Sequence, residues 1–139
     1  MKILLAACNA KYIHSNLAVY DLRAYASAYQ EHILLGEYTI NQTKDEILKD
    51  IYLSGADVVC FSCYIWNISF VRDLLEDLHK ILPDVKFWTG GPEVSFDAEA
   101  FLRRTPQVTG VMVGEGEKTF LELVRYYVDG VGTLSEIPG

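Results

Sequence analysis

With 139 residues, half of them hydrophobic, the chain has the length of one domain and enough apolar side chain to bury a core, which excludes a disordered polypeptide. Twelve Lys and Arg against nineteen Asp and Glu leave a formal charge of −7, which opposes a nucleic-acid-binding surface, and no apolar run approaches the roughly 20 residues of a membrane span. Three cysteines, an odd number with no secretory feature around them, suit reduced thiols in a cytoplasmic protein.

Short apolar runs alternate with stretches of helical period. The opening MKILLAACNAKY has one Lys and turns polar at once, so KILLAA (2–7) reads as a buried first strand and not as a leader. From Leu17 to Tyr29, the residues Ala18, Leu22, Tyr25, Ala26 and Tyr29 recur at helical steps. ILLGEYTI (33–40) is the second strand. TKDE (43–46) has the form of a capping box, and Ile47, Leu48, Ile51 and Tyr52 supply the buried stripe of the helix it starts.

DVVCFSCY (57–64) is the most strand-like run in the chain. Asn67 is placed to cap the next helix, whose stripe is Ile68, Val71, Leu74, Leu75, Leu78, Ile81 and Leu82, with Pro83 and Asp84 as its stop. VKFWTGG (85–91) is a fourth strand ending in two glycines. A helix over Asp97–Arg104, a fifth strand in VTGVMVGEG (108–116) and a last helix over Glu117–Val128 follow. Five βα units in succession predict a single α/β domain: a doubly wound, five-stranded parallel sheet of flavodoxin-like (Rossmann-like) order in a three-layer sandwich. That domain is expected over residues 1–130; the aperiodic segment 131–139 reads as the start of a linker.

In such a sheet, ligands bind outside the carboxyl ends of the strands, near the point where strand order reverses. Four loop mouths therefore matter. The first holds CNAKYIHSN (8–16), where His14 is a metal ligand, a base or a helix cap. The second, SCYIWN (62–67), crowds Ser62, Tyr64, Trp66 and Asn67 at one strand exit, where the aromatics either meet a flat ligand or finish the core. In TGGPEVSF (89–96), Gly90-Gly91 either makes a tight turn or admits a ligand to the backbone, and Pro92 stiffens the exit. GEGEKTF (114–120) sets carboxylates at a helix start, which disfavours a phosphate there.

Cys60-x-x-Cys63 invites a redox or zinc reading, but Cys60 lies inside the apolar strand and no second Cys or His pair exists, so buried packing is expected. A receiver domain needs acidic residues where Cys8-Asn9 and Ser62-Cys63 stand. A flavodoxin needs a phosphate loop that NAKYIHSN does not supply.

Taken together, TGGPEVSF, VGEGEKTFLEL and SEIPG resemble the N-terminal cobalamin-binding domain of B12-dependent radical SAM enzymes, over essentially the whole chain. That family includes methyltransferases and proteins labelled as anaerobic magnesium-protoporphyrin monomethyl ester oxidative cyclases. The resemblance implies a cobalamin-binding module that does not catalyse alone. The corrinoid would be met by Asn9, Tyr12 and His14 from the first loop and by Ser62, Tyr64, Trp66 and Asn67 from the next. Gly90, Gly91, Pro92 and Glu93 would follow from the fourth strand, and Gly114, Glu115 and Gly116 from the fifth.

Other cobalamin domains take a cobalt ligand from Asp-x-His-x-x-Gly. Here Tyr12 replaces the Asp that would orient the imidazole and Leu17 replaces the Gly, so no protein ligand to the metal is expected. The tail turn Ser-x-Leu of those domains has Tyr64 in place of Leu. S-adenosylmethionine and a [4Fe-4S] cluster would belong to a radical SAM domain after residue 139, because the Cys-x-x-x-Cys-x-x-Cys motif is missing from these residues. The alternative is a stand-alone flavodoxin-like ligand-binding or interaction domain without corrinoid.

Overall fold

The computed structural model describes residues 1–9, 17–39, 42–63, 68–91, 95, 98–113 and 116–134. The strands are β1 (Ile3–Asn9), β2 (Ile33–Thr39), β3 (Val58–Ser62), β4 (Lys86–Gly90) and β5 (Val108–Met112). The helices are α1 (Leu17–Tyr25), α2 (Lys44–Ser54), α3 (Ile68–Ile81), α4 (Ala98–Arg104) and α5 (Glu117–Asp129). All pairings are parallel, in the order β2-β1-β3-β4-β5. Strand order thus reverses between β1 and β3, as the alternation of strands and helices predicts.

Alternation along each strand divides the interior into two cores. Leu4, Ala6, Cys8, Val59, Phe61 and Phe87 face α2, α3 and α4 and pack on Ile47, Ile51, Val71, Leu74, Leu75, Leu78 and Phe101. Ile3, Leu5, Ala7, Val58, Cys60, Trp88 and Met112 face α1 and α5 and pack on Val19, Phe120, Leu123 and Val124. Both sheet faces are therefore covered, which is why β1 and β3 are unbroken apolar runs. Each fully buried Leu, Ile or Phe contributes about 1.5–3 kcal/mol relative to exposure.

Local signals act as the sequence leads one to expect, with some corrections. Thr43 caps α2, its Oγ1 accepting from the Glu46 N–H at 3.2 Å. The helix expected over residues 17–29 ends at Tyr25: a 3-10 segment, Ser27–His32, follows, with Tyr29 at φ −113 and ψ 18. Buried Ala26 pins this break against the sheet, and Tyr25 is left 52% exposed. Tyr52 and Ile81, read as stripe residues, are 55% and 46% exposed. Both lie in the last turn of a helix. Strand ends also shift. The first strand runs on to Asn9, and the third and fifth stop at Ser62 and Met112.

Candidate functional site

The parallel registers bring four residues into one row across the carboxyl edge: Ala7 pairs with Ser62, Ser62 with Gly90 and Gly90 with Met112. By strand alternation all four share the face that looks toward α1 and α5. Three of them carry nothing larger than a hydroxymethyl group, so the sheet is thin along this row. Asn9 ends β1 two residues beyond Ala7, beside the reversal of strand order.

The exits of β3 and β4 are tied together beyond the row. The Cys63 N–H donates to the Gly90 carbonyl at 2.7 Å. Gly91 follows at φ +108, and a Cβ there would overlap the Cys63 carbonyl oxygen, so the crossing of the two exits requires a glycine. Gly90 differs. The atoms nearest to a Cβ at Gly90 would belong to Met112, at ordinary distances of 3.5 and 3.6 Å.

Gly116, at φ +77, begins α5 and lies beside Leu22 of α1, closing the α1/α5 side at the same end of the sheet. Ser62, Gly90, Gly91 and Gly116 are thus placed at the carboxyl end. Tyr12, His14, Tyr64, Trp66, Asn67, Pro92, Glu93, Gly114 and Glu115 lie outside the described residues.

The cysteines follow the two-core division. Cys60 points into the α1/α5 core and Cys63 into the opposite one, so the Cys-x-x-Cys spacing does not place two sulfurs on one side. Burial pushes the Cys8 and Cys60 thiols up to about 12, far from thiolate chemistry. Among the described residues no group of three or more His, Cys, Asp or Glu could hold a metal ion, and no helix is long and apolar enough to cross a membrane.

Three contributors were not legible from the sequence as site residues. Ala7 and Met112 join the row only through the register. Ser95 closes back on Gly91, its N–H and its Oγ both donating to the Gly91 carbonyl. The spacing of a serine four residues after a glycine was the available signal for the latter.

A family model described as the B12 binding domain matches residues 3–124. The cobalamin-dependent radical SAM methyltransferase TokK of Streptomyces tokunonensis is 30% identical over 83 residues, covering 60% of this chain and 12% of that protein. A 2-(S-pantetheinyl)-carbapenam-3-carboxylate methyltransferase of Streptantibioticus cattleyicolor is 31% identical over 87 residues, 63% of this chain and 13% of its own. The chain thus spans about an eighth of the length of these curated relatives.

Among solved structures, the cobalamin-dependent S-adenosylmethionine radical enzyme OxsB aligns with a TM-score of 0.74 at 20% identity, over 99% of this chain and 20% of that one. A cobalamin-binding protein from Desulfitobacterium hafniense aligns with a TM-score of 0.64 at 17% identity, over 94% and 59%. At these identities the structural likeness is one of fold.

Proposed function

The chain belongs to the B12-binding domain family, and from that premise we propose that it is the corrinoid-holding module of a larger cobalamin-dependent radical SAM methyltransferase. The observation that carries the reading is the glycine at position 90. The fold itself accommodates a methyl there, at ordinary contact with Met112 and without positive φ, and alanine in a strand is favoured over glycine by about 0.5–1 kcal/mol. A bare backbone at this point serves something that approaches it, in the thin row beside the switch point where this sheet type takes its ligands. The residues present therefore fit a corrinoid that would approach the backbone at the carboxyl end of this row.

In this reading Gly90 would admit the corrinoid to the backbone, Ser62 would offer it a hydroxyl, and Asn9 would meet it from the end of β1. Tyr12, Tyr64 and Trp66 would contribute aromatic rings to its binding, and Gly114, Glu115 and Gly116 would meet it from the segment that leads into α5. Bound cobalamin supplies a cobalt centre able to carry a methyl group. S-adenosylmethionine and its [4Fe-4S] cluster belong to a further domain joined through 131–139, so residues 1–139 bind and do not catalyse. The names of the curated relatives favour methyl transfer over oxidative cyclisation.

The test is a titration of the purified protein with hydroxocobalamin, followed by gel filtration and the visible spectrum of the protein fraction. Wild type should retain the corrin, and Gly90→Ala should weaken binding at unchanged fold stability. No retained corrin in any form of the protein sinks the proposal and leaves the stand-alone module. Because Tyr12 replaces the orienting Asp, His14→Ala should leave the cobalt(II) EPR spectrum unaltered; loss of a nitrogen splitting would make His14 a ligand.

A further inference from the structure

On the other side of the sheet from α1 and α5, a groove of about 410 Å³ opens between α3 and the junction of α4 with β5. Ser69, Arg72, Asp73 and Glu76 stand at helical steps and line one wall as a single stripe of α3. Arg104, the last residue of α4, and Thr105 directly after it belong to the other wall. Every lining side chain is polar, which suits a charged ligand and not a flat apolar one. Two kinds of group in this groove are left unused by the chain. Neither Arg72 nor Arg104 makes an ion pair or a side-chain hydrogen bond among the described residues, although Glu76 stands four positions from Arg72. Lys44, Arg103 and Arg125 do pair, with Asp77, Glu99 and Glu122. Thr105 is only 3% exposed. Its N–H donates to the Leu102 carbonyl at 3.3 Å and its carbonyl accepts from the Val108 N–H at 3.1 Å, yet its Oγ1 is buried with no hydrogen-bond partner. A buried hydroxyl left so costs about 1–3 kcal/mol, and a valine of the same shape would avoid that cost.

From these unused groups we propose that the groove is a second binding site, for a small zwitterionic molecule with an amide between its charges. The guanidiniums of Arg72 and Arg104, one from each wall, take the carboxylate, and Asp73 and Glu76 take the ammonium. A ligand of one sign would set one of these pairs against a like charge, so both signs are needed. Lys44 of α2, whose field reaches Asp73 and Glu76, is already engaged by Asp77 at 3.2 Å and does not replace the ammonium. The hydroxyls of Ser69 and Thr105 serve the amide. Because the Thr105 oxygen is closed off from solvent in the free chain, its partner arrives with the ligand. The site stands apart from the corrinoid reading, since its residues sit on the helices of the opposite core.

Three probes decide the matter: diglycine, N-acetyldiglycine, which lacks the ammonium, and diglycine amide, which lacks the carboxylate. Each is titrated into the isotope-labelled protein while backbone amide resonances are followed by NMR, and the urea midpoint and hydroxocobalamin affinity are measured beside it. Diglycine should shift the amides of residues 69–76 and 104–107 saturably, and each blocked probe should bind at least about tenfold more weakly, the worth of one charged hydrogen bond. Arg72→Gln and Arg104→Gln should each weaken diglycine by about tenfold and leave the urea midpoint and hydroxocobalamin affinity as they are. Thr105→Val should weaken diglycine about two- to tenfold while holding or raising the midpoint, a combination that a packing role would not give. Thr105→Ser, which keeps the hydroxyl, should bind diglycine as wild type does. Absence of a saturable shift with diglycine, or shifts confined to other residues, overturns the site. Equal binding of the three probes overturns the zwitterion, and unchanged diglycine affinity in both arginine variants overturns the assigned residues. A protein that binds diglycine here and takes up no corrin loses the corrinoid reading and keeps this site.

Discussion

At Gly91 the φ of +108 and the Cys63 carbonyl together exclude a side chain, whereas at Gly90 nothing among the described residues does. The two neighbours should therefore respond to the same change in opposite ways. Gly91→Ala should cost about 2–3 kcal/mol, from strained backbone plus overlap with a main-chain atom, read as a lowered urea midpoint at constant slope. Gly90→Ala should leave that midpoint unchanged or raise it slightly. A Gly91→Ala protein as stable as wild type would show that the β3 and β4 exits do not cross as described. The buried thiols give a second expectation. Burial pushes the Cys8 and Cys60 thiols up to about 12 against an ordinary 9.0, so above pH 9 the folded chain keeps protons that the unfolded chain has lost. Their contribution is fully present below pH 9 and is lost as pH rises toward 12, by up to about 1.4 kcal/mol per unit and thiol. Urea midpoints at pH 8, 9.5 and 10.5 should fall, and Cys60→Ala should flatten the decline.

Helix α5 is fastened to the sheet by more than its apolar stripe. Trp88 of β4 donates its indole N–H to the Tyr127 hydroxyl at 3.0 Å, and a Cβ at Gly110 would overlap the same indole. The ring thus occupies the space that a side chain on β5 would take. Tyr127→Phe should cost about 1 kcal/mol by leaving that N–H part-buried without its acceptor, with a red-to-blue change in tryptophan emission too small to signal unfolding. An unaltered midpoint would mean that water replaces the phenol. This contact also marks where sequence reading stops. The five strands were legible because covered parallel strands are continuous apolar runs, and the α2 start because Thr43 and Glu46 stand three apart. The Trp88–Gly110 match was not, because a register irregularity between Phe87 and Trp88 sets it. Exposure of Tyr25, Tyr52 and Ile81 was equally hidden: period assigns a residue to a helix face but does not say where the sheet beneath it ends. At the candidate site, the glycines were legible as glycines. Which of them the scaffold needs depends on Cys63, 28 positions earlier in the chain.

On the scale of the whole molecule, one sheet carries two cores, and every strand from β1 to β4 contributes to both. Neither core can melt while the other keeps its strands in place. Unfolding should therefore be a single transition, with coincident urea curves from far-UV circular dichroism and tryptophan emission; separated midpoints would reveal independent layers. The ion pairs do little to change this, since Lys44 and Asp77, which join α2 to α3 at 3.2 Å, are both solvent-exposed and screened by water. The order β2-β1-β3-β4-β5 also dictates how the chain assembles as it leaves the ribosome. The first strand made is an inner one, and its β3 side stays open until Val58–Ser62 emerge to pair with Ile3–Ala7. Until then the growing sheet has two strands, a unit that is marginal in water, with the apolar run Ile3–Cys8 open on one flank. After that point growth is one-directional: β4 and then β5 add to the same margin. A pause in translation before residue 58 therefore exposes the chain to aggregation far more than one after residue 62.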